Sequence, residues 1–305
     1  MTLRSKLTQG DKATERLGRE AERKLIRAYQ LSLKEIRSQI ATAYAKYGGS
    51  WTDMNKYNRL ANLEKTISAE IAKLTGKNAV TLKKGIADVF VESYYRTAYA
   101  LESGAQAKLG FGQLNPKTIE AAIQNPLDRV GFLRRNRDNQ ARLTRQLQEQ
   151  LTQGLIRGES FQQTARRVKD RMDVGASNAL RIVQTEQHRA QTQGRLSSFD
   201  GAEEAGVEFT RIWTSTLDDR TREDHQDMDG EEANEDNLFD LDGNMVEGPG
   251  LTGEARQDIN CRCTVRGEIE GFGPKVRRAR EVEGKTGEIR SYTTYNKWKK
   301  GRIEN

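Results

Sequence analysis

The stretch from Trp213 to Val265 holds both cysteines of this 305-residue chain, Cys261 and Cys263, and one of its two histidines, His225. Thiolate and imidazole are preferred zinc ligands, and a closed structural site takes four such groups in a tetrahedron. The C-x-C spacing is a weaker signal than paired C-x-x-C knuckles, because one intervening residue strains the chelate. It also forbids a useful disulfide, since the loop closed would be too short, so reduced thiols are expected. The alternative for the same residues is two buried thiols beside a histidine bonded to a carboxylate or the backbone. A Cys–His nucleophile would need an orienting partner, and no local motif supplies one. His188, the other histidine, falls among Gln184, Gln187 and Gln191 with no further ligand at metal spacing, which predicts an exposed residue on a polar helix face. An EF-hand fails on residue identity. Counted from Asp240, its glycine and glutamate positions are Met245 and Leu251.

Charge sets this stretch apart. Between Ser215 and Asn260 there are 15 Asp+Glu against 3 Lys+Arg, a net of −12, while the whole chain carries +7; the remainder therefore carries +19. A small acidic, glycine-bearing module sits in a basic protein. With little to bury, such a module gains most from a bound metal.

The order Asp218-Asp219-Arg220-Thr221-Arg222, His225, Asp229-Gly230 and then Asn260-Cys261-Arg262-Cys263 resembles the phage Mu F-like minor head protein family, also called phage head morphogenesis proteins. Ahead of it, Arg181-Ile182-Val183-Gln184-Thr185-Glu186 resembles the family's R-x-A-R-T-E helix; behind it, Tyr295-Asn296-Lys297-Trp298 resembles its Y-x-x-W segment. Many members carry histidine three residues before the first cysteine. Here that position is Asp258, which the resemblance makes the fourth zinc ligand. The resemblance also implies a non-enzymatic minor capsid protein of a tailed bacteriophage, made in the host cytoplasm and housed in the virion head near the portal vertex. Its implied partners are the portal and the major capsid or scaffolding protein. Two other classes remain open: a metal-dependent nuclease using His225 with Asp218, Asp219, Asp227 and Asp229 around a divalent ion, and a nucleic-acid-binding module with no virion role.

The elements that must position these residues are mostly helical. Hydrophobic residues make up 35% and charged residues 31% of the chain, which favours a helix-rich shape over one large globule. No run of eighteen apolar residues occurs, so no membrane partner is expected. Apolar residues at Leu25, Tyr29, Leu33, Ile36, Ile40 and Tyr44 fall at steps of three and four, as on one face of a helix ended by Gly48-Gly49. A second stripe runs Leu60, Leu63, Ile67, Ile71, Leu74 to a stop at Gly76, and a third from Leu82 to Leu101. Either these stripes pack into a bundle or one stays open as a docking arm. Asn115-Pro116 starts a short helix closed by Pro126, Ser160 caps a helix through Met172, and a separate helix runs from Ala176 to about Ser198.

Between Arg129 and Arg171 there are 11 Lys+Arg against 4 Asp+Glu. Arg129, Arg134, Arg135, Arg137, Arg142, Arg145, Arg166, Arg167, Lys169 and Arg171 are candidates for contact with double-stranded DNA, through phosphates and independent of sequence. A solvated helix surface is the competing reading. Past Gly201 the period changes. Val207, Phe209, Arg211 and Trp213 alternate with their neighbours as in a half-buried strand, Asp242-Gly243 signals a hairpin, and Cys263 to Ile269 reads as a further strand. The expected fold class is α+β: a predominantly α-helical N-terminal two-thirds with a small α+β C-terminal domain. The expected division is 1–110 (docking arm), 111–204 (basic helices), 205–270 (acidic module) and 271–305 (basic tail).

Overall fold

The computed structural model describes residues 3–269 apart from 106, 125, 126, 128, 129 and 217. The expectations at Pro126, Arg129 and the tail with Tyr295 and Trp298 lie outside the described residues. The elements are α1 (Leu3–Tyr47), α2 (Trp51–Asn55), α3 (Arg59–Ala105), α4 (Pro116–Gln124), α5 (Phe132–Ile156), α6 (Phe161–Glu204), β1 (Phe209–Thr214), α7 (Glu223–Asp227), β2 (Phe239–Leu241), β3 (Asn244–Val246), α8 (Ala255–Asp258) and β4 (Thr264–Ile269). The helical bulk and the small α+β part follow the sequence reading. Among the described residues no helix is long and apolar enough to cross a membrane.

The helix starts obey their sequence signals. Asn115 Oδ1 accepts from Lys117 N at 2.9 Å ahead of α4. At α6, Ser160 Oγ accepts from Gln163 N while Gln163 Oε1 accepts from Ser160 N at 2.8 Å, a reciprocal capping box. The stops are different. α3 passes straight through Gly76, and α6 joins the two segments expected on either side of Gly175. A glycine costs a helix about 1 kcal/mol, less than the burial of its apolar stripe contributes, and the stripe Ile67, Ile71, Leu74, Leu82, Ile86 is buried throughout. Gly175 has a further reason to be there: a Cβ would stand 2.9 Å from Leu143 Cδ2, so the missing side chain lets two helices approach.

Two compact units form, and neither is continuous in sequence. One comprises Gly18–Gly85 and Arg129–Glu186; the other comprises Met1–Leu17, Ile86–Asp128 and Gln187–Asn305. The divisions expected at 110 and 204 are thus not those of the fold. A helix of 45 residues is about 68 Å long, more than one small core can cover, so α1, α3 and α6 each give residues to both units.

The first unit is a helical bundle. Leu25, Ile36 and Ile40 of α1, Ile67 and Ile71 of α3, Leu147 and Leu151 of α5 and Val168 of α6 are all buried. Asn139 on α5 ties it together by donating to Gly175 O at 3.0 Å and to Tyr29 Oη, while Asn136 donates to Thr75 O. Burial pushes the Tyr29 phenol up to about 12. The apolar stripes of the N-terminal helices are therefore covered from within, which removes the physical motive for reading residues 1–110 as an open docking arm.

The second unit builds one core from helices and strands: Ala98 and Leu101 of α3, Phe111, Leu196 and Phe199 of α6, Trp213 of β1, Phe239, Leu241 and Val265. α6 approaches α3 closely where Ser93 Oγ donates to Gln191 O and Ser198 Oγ donates to Tyr94 O. Strands β1 and β4 pair antiparallel with Trp213 opposite Val265, and β2 and β3 form a hairpin. Asp242 and Gly243 supply its turn with φ of 53° and 80°, the left-handed pair a tight hairpin requires. β1 departs from simple alternation. Ile212 is buried as well as Arg211 and Trp213, because a bridge to Glu232 lays further chain beside the strand.

Two glycine substitutions should act in opposite directions. A Cβ on Gly194 would lie 2.4 Å from Phe90 O, a backbone atom that cannot swing aside, so Gly194→Ala should destabilise by about 1–3 kcal/mol or more. Gly76 meets nothing within 4 Å, so Gly76→Ala should stabilise by about 0.5–1 kcal/mol. Urea denaturation of both variants checks the signs.

Candidate metal centre

The short helix α7 carries His225, and the segment leading from α8 into β4 carries Cys261 and Cys263. All three are buried, with His225 and Cys263 each 1% exposed. The imidazole Nδ1 stands 3.6 Å from Cys261 Sγ and 3.6 Å from Cys263 Sγ. The three donor atoms lie within 4.8 Å of one another, the one His/Cys/Asp/Glu group of ligand geometry among the described residues. Trp213 packs its ring edge-on against the imidazole at 5.5 Å, and Ser215 Oγ donates to His225 O.

The tautomer of His225 is fixed from behind. Asp224 can only accept, so Gln257 directs its Nε2 amide to Asp224 Oδ2 at 2.5 Å and turns its Oε1 to His225 Nε2 at 3.1 Å. The proton on the ring therefore sits at Nε2, and the Nδ1 lone pair faces both sulfurs. A hydrogen bond to Cys263 and burial push the Cys261 thiol up. Cys263 is held down by the hydrogen bonds from Cys261 and the Thr216 backbone, against the effect of burial.

Asp258 does not join this group. Its carboxylate accepts from Arg189 Nη1 at 2.7 Å, Thr252 Oγ1 at 2.8 Å, Thr252 N at 3.1 Å and Gly253 N at 3.3 Å. Both oxygens are occupied in a fully buried ion pair, and burial still pushes the carboxyl up. Its role is to hold the loop from Gly250 to Gly253 and the helix α8 against α6, which fixes Gln257 next door.

The other motif residues brace the same region. Arg262 grips Asp218 with both terminal nitrogens, at 2.5 and 2.6 Å, and Thr221 Oγ1 donates to Asp218 as well as to Thr216 O. This guanidinium holds the Asp218 carboxyl well below the usual carboxylate range. Arg222 donates to Ile259 O at 2.7 Å, and Arg220 is exposed with its backbone N–H on Asp218. Asp229 accepts from Ser215 N, Gly230 and Asn260 hold left-handed backbone at φ 92° and 61°, and Gly230 N donates to Trp213 O. With Asp218 given to Arg262 and Asp229 to a backbone amide, the carboxylates needed by a nuclease are not gathered on His225. On α6, Thr185 is buried and Glu186 is ion-paired with Arg135.

His188 corrects the expectation of an exposed residue. It lies against Gly250, its Nε2 is out of contact with solvent and has no hydrogen-bond partner among the described residues, and burial lowers it to about 4. A helical wheel places it on a polar face; the Gly248–Gly250 loop, which no periodicity announces, covers it. Asp224, Gln257 and Arg189 were missed for a similar reason. Their sequence trace is adjacency alone, Asp224 beside His225 and Gln257 beside Asp258.

Two tests follow from this geometry. Arg189→Leu leaves Asp258 buried without its counter-charge and should cost about 3–5 kcal/mol in urea denaturation. For His188 the folded pKa lies below the unfolded 6.5, so its contribution is complete above that pH and is lost as pH falls from about 6.5 to about 4. His188→Gln should flatten the stability profile in that window, read by thermal unfolding at a series of pH values.

Comparison with known proteins agrees with the motif. Residues 145–266 match the family model described as Phage Mu protein F like protein. The chain is 31% identical over 295 residues to minor head protein GP7 of Bacillus phage SPP1, across 95% of each chain. It is also 27% identical over 286 residues to NAD(+)--arginine ADP-ribosyltransferase EFV of Enterococcus faecalis, covering 93% of this chain but 58% of that protein. No solved structure matches. Motif residues that brace one small module, joined to near end-to-end similarity with a minor head protein, place this chain in the phage Mu F-like minor head protein family.

Proposed function

We propose that this chain is a minor capsid protein of a tailed bacteriophage, that it acts in head morphogenesis at the portal or procapsid interior, and that it touches packaged DNA without catalysing a reaction. The observation that carries this reading is the 31% identity to a minor head protein across 95% of both chains. The relative named as a transferase is matched over only 58% of its length, which leaves that protein ample chain outside the shared region for the activity in its name. The chemistry of the module agrees with a non-enzymatic role. His225 is buried with both ring nitrogens directed at protein groups, and Asp218 is neutralised by Arg262.

The DNA contact rests on α5. Leu143, Leu147 and Leu151 are buried on one side, and Arg134, Arg137, Arg142 and Arg145 are exposed on the other, with no ion pair among the described residues. Exposed arginines are suited to bidentate contact with phosphates. Three of the sequence candidates have other partners. Arg135 pairs with buried Glu186, Arg167 with Glu159 and Gln150, and Lys169 with Asp173. Arg166, exposed, and Arg171, half-buried, lie on α6 and not on the α5 stripe.

Mass spectrometry of purified virions should find this chain, and affinity purification of a portal ring from infected cells should recover it; absence from both would remove the head role. Plasmid DNA incubated with the protein and Mg²⁺ or Mn²⁺ should stay intact. DNA affinity should ignore sequence and fall steeply with salt, and changing Arg134, Arg137, Arg142 and Arg145 to Glu should flatten the log–log slope by about 0.9 per lost phosphate contact. An unchanged slope would return α5 to a solvated surface.

A further inference from the structure

We infer that His225 Nδ1, Cys261 Sγ and Cys263 Sγ hold one zinc ion, with Asp224 and Gln257 as positioning residues for the imidazole and with Asp258 outside the coordination shell. The inference stands on the geometry of the module and is independent of the head role. In a tetrahedral site, Zn–S of about 2.3 Å and Zn–N of about 2.0–2.1 Å set a nitrogen-to-sulfur edge of about 3.5 Å. Both edges here are 3.6 Å. The match concerns direction as well as distance. One sp² lone pair on Nδ1 can accept one S–H along its axis, so two sulfurs equidistant from it are poorly explained as two hydrogen bonds. An ion placed between the three atoms satisfies all of them together.

The outer groups are those a ligating histidine needs. A metal-bound imidazole donates its second N–H to an oriented acceptor, which fixes the ring and raises its basicity. Gln257 Oε1 is that acceptor, and Asp224 holds Gln257 in the required amide orientation. Ser215 fixes the backbone of His225, and Trp213 closes the side of the ring. The donor set, two sulfurs and one nitrogen in a dry pocket, selects zinc over the oxygen-seeking magnesium and calcium. The chain has no further cysteine, and His188 lies outside the group, so the fourth position falls to an oxygen donor.

The test uses the full-length protein, purified under reducing conditions and loaded with zinc. Elemental analysis should give about one zinc per chain, and X-ray absorption should show two sulfur scatterers at about 2.3 Å with two nitrogen or oxygen neighbours. Cys261→Ser with Cys263→Ser should abolish binding, and Gln257→Ala should weaken it about 10–100-fold in competition with a chromogenic chelator. Asp258→Asn, which leaves Arg189 and Thr252 a neutral acceptor, should keep the metal. No zinc on the loaded wild-type protein, or a shell without two sulfurs, overturns the inference; both readouts need only the wild-type chain. Loss of zinc in Asp258→Asn with an unchanged circular dichroism spectrum would overturn the assignment of Asp258.

Discussion

The ion pair between Arg189 and Asp258 is the constraint from which the C-terminal module takes its shape. Both side chains are buried, at 5% and 0% exposure, and neither could be left alone there without a penalty of several kcal/mol. Arg189 spends the same terminal nitrogen on Gly250 O, and Asp258 gathers Thr252 and Gly253. A glycine-rich loop with almost nothing to bury is thereby nailed to α6. Once α8 is in place, Gln257 faces His225 and the chain turns at Asn260 to deliver Cys261 and Cys263.

Arginine does this repeatedly. Arg195, also buried, donates to Val265 O at 2.8 Å and Thr264 Oγ1 while pairing with Asp11, so one guanidinium joins α1, α6 and β4. Arg211 on β1 reaches Asp200 and Glu203 near the end of α6. A chain poor in apolar residues has few large side chains to lock strands onto a helix. Charged anchors with several donors each supply the missing specificity, their terminal nitrogens reaching carboxylates, carbonyls and a hydroxyl. Of the carboxylates that answer these buried cations only Asp258 belongs to the acidic stretch; Asp11, Asp200 and Glu203 lie outside it.

The recognisable motif is mostly architecture. Asp218, Thr221, Arg222, Arg262, Asp229, Gly230 and Asn260 close loops on one another and on backbone groups. Their uneven, well-separated spacing made the family legible. It did so because a loop-built module needs particular side chains at particular turns, whereas a helix needs only a period.

By itself the sequence determined the helical class, the starts of α4 and α6, the hairpin at Asp242-Gly243, the strand after Cys263 and the family. Each of these is local, set by a cap, a turn or a repeat within a few residues. It also named His225, Cys261 and Cys263 as a group, because both cysteines and one of the two histidines fall in one short stretch. Only the tertiary structure decided that α3 runs through Gly76 and α6 past Gly175, that the two units interleave segments far apart in sequence, and that His188 is covered. It alone gave Asp258 a buried arginine partner and Arg135 and Arg167 carboxylate partners. Those outcomes depend on which distant partner reaches a side chain first: Arg189 for Asp258, Glu186 for Arg135, Glu159 for Arg167. Periodicity reports the face a residue occupies on its own helix, and it carries no information about what comes to lie against that face.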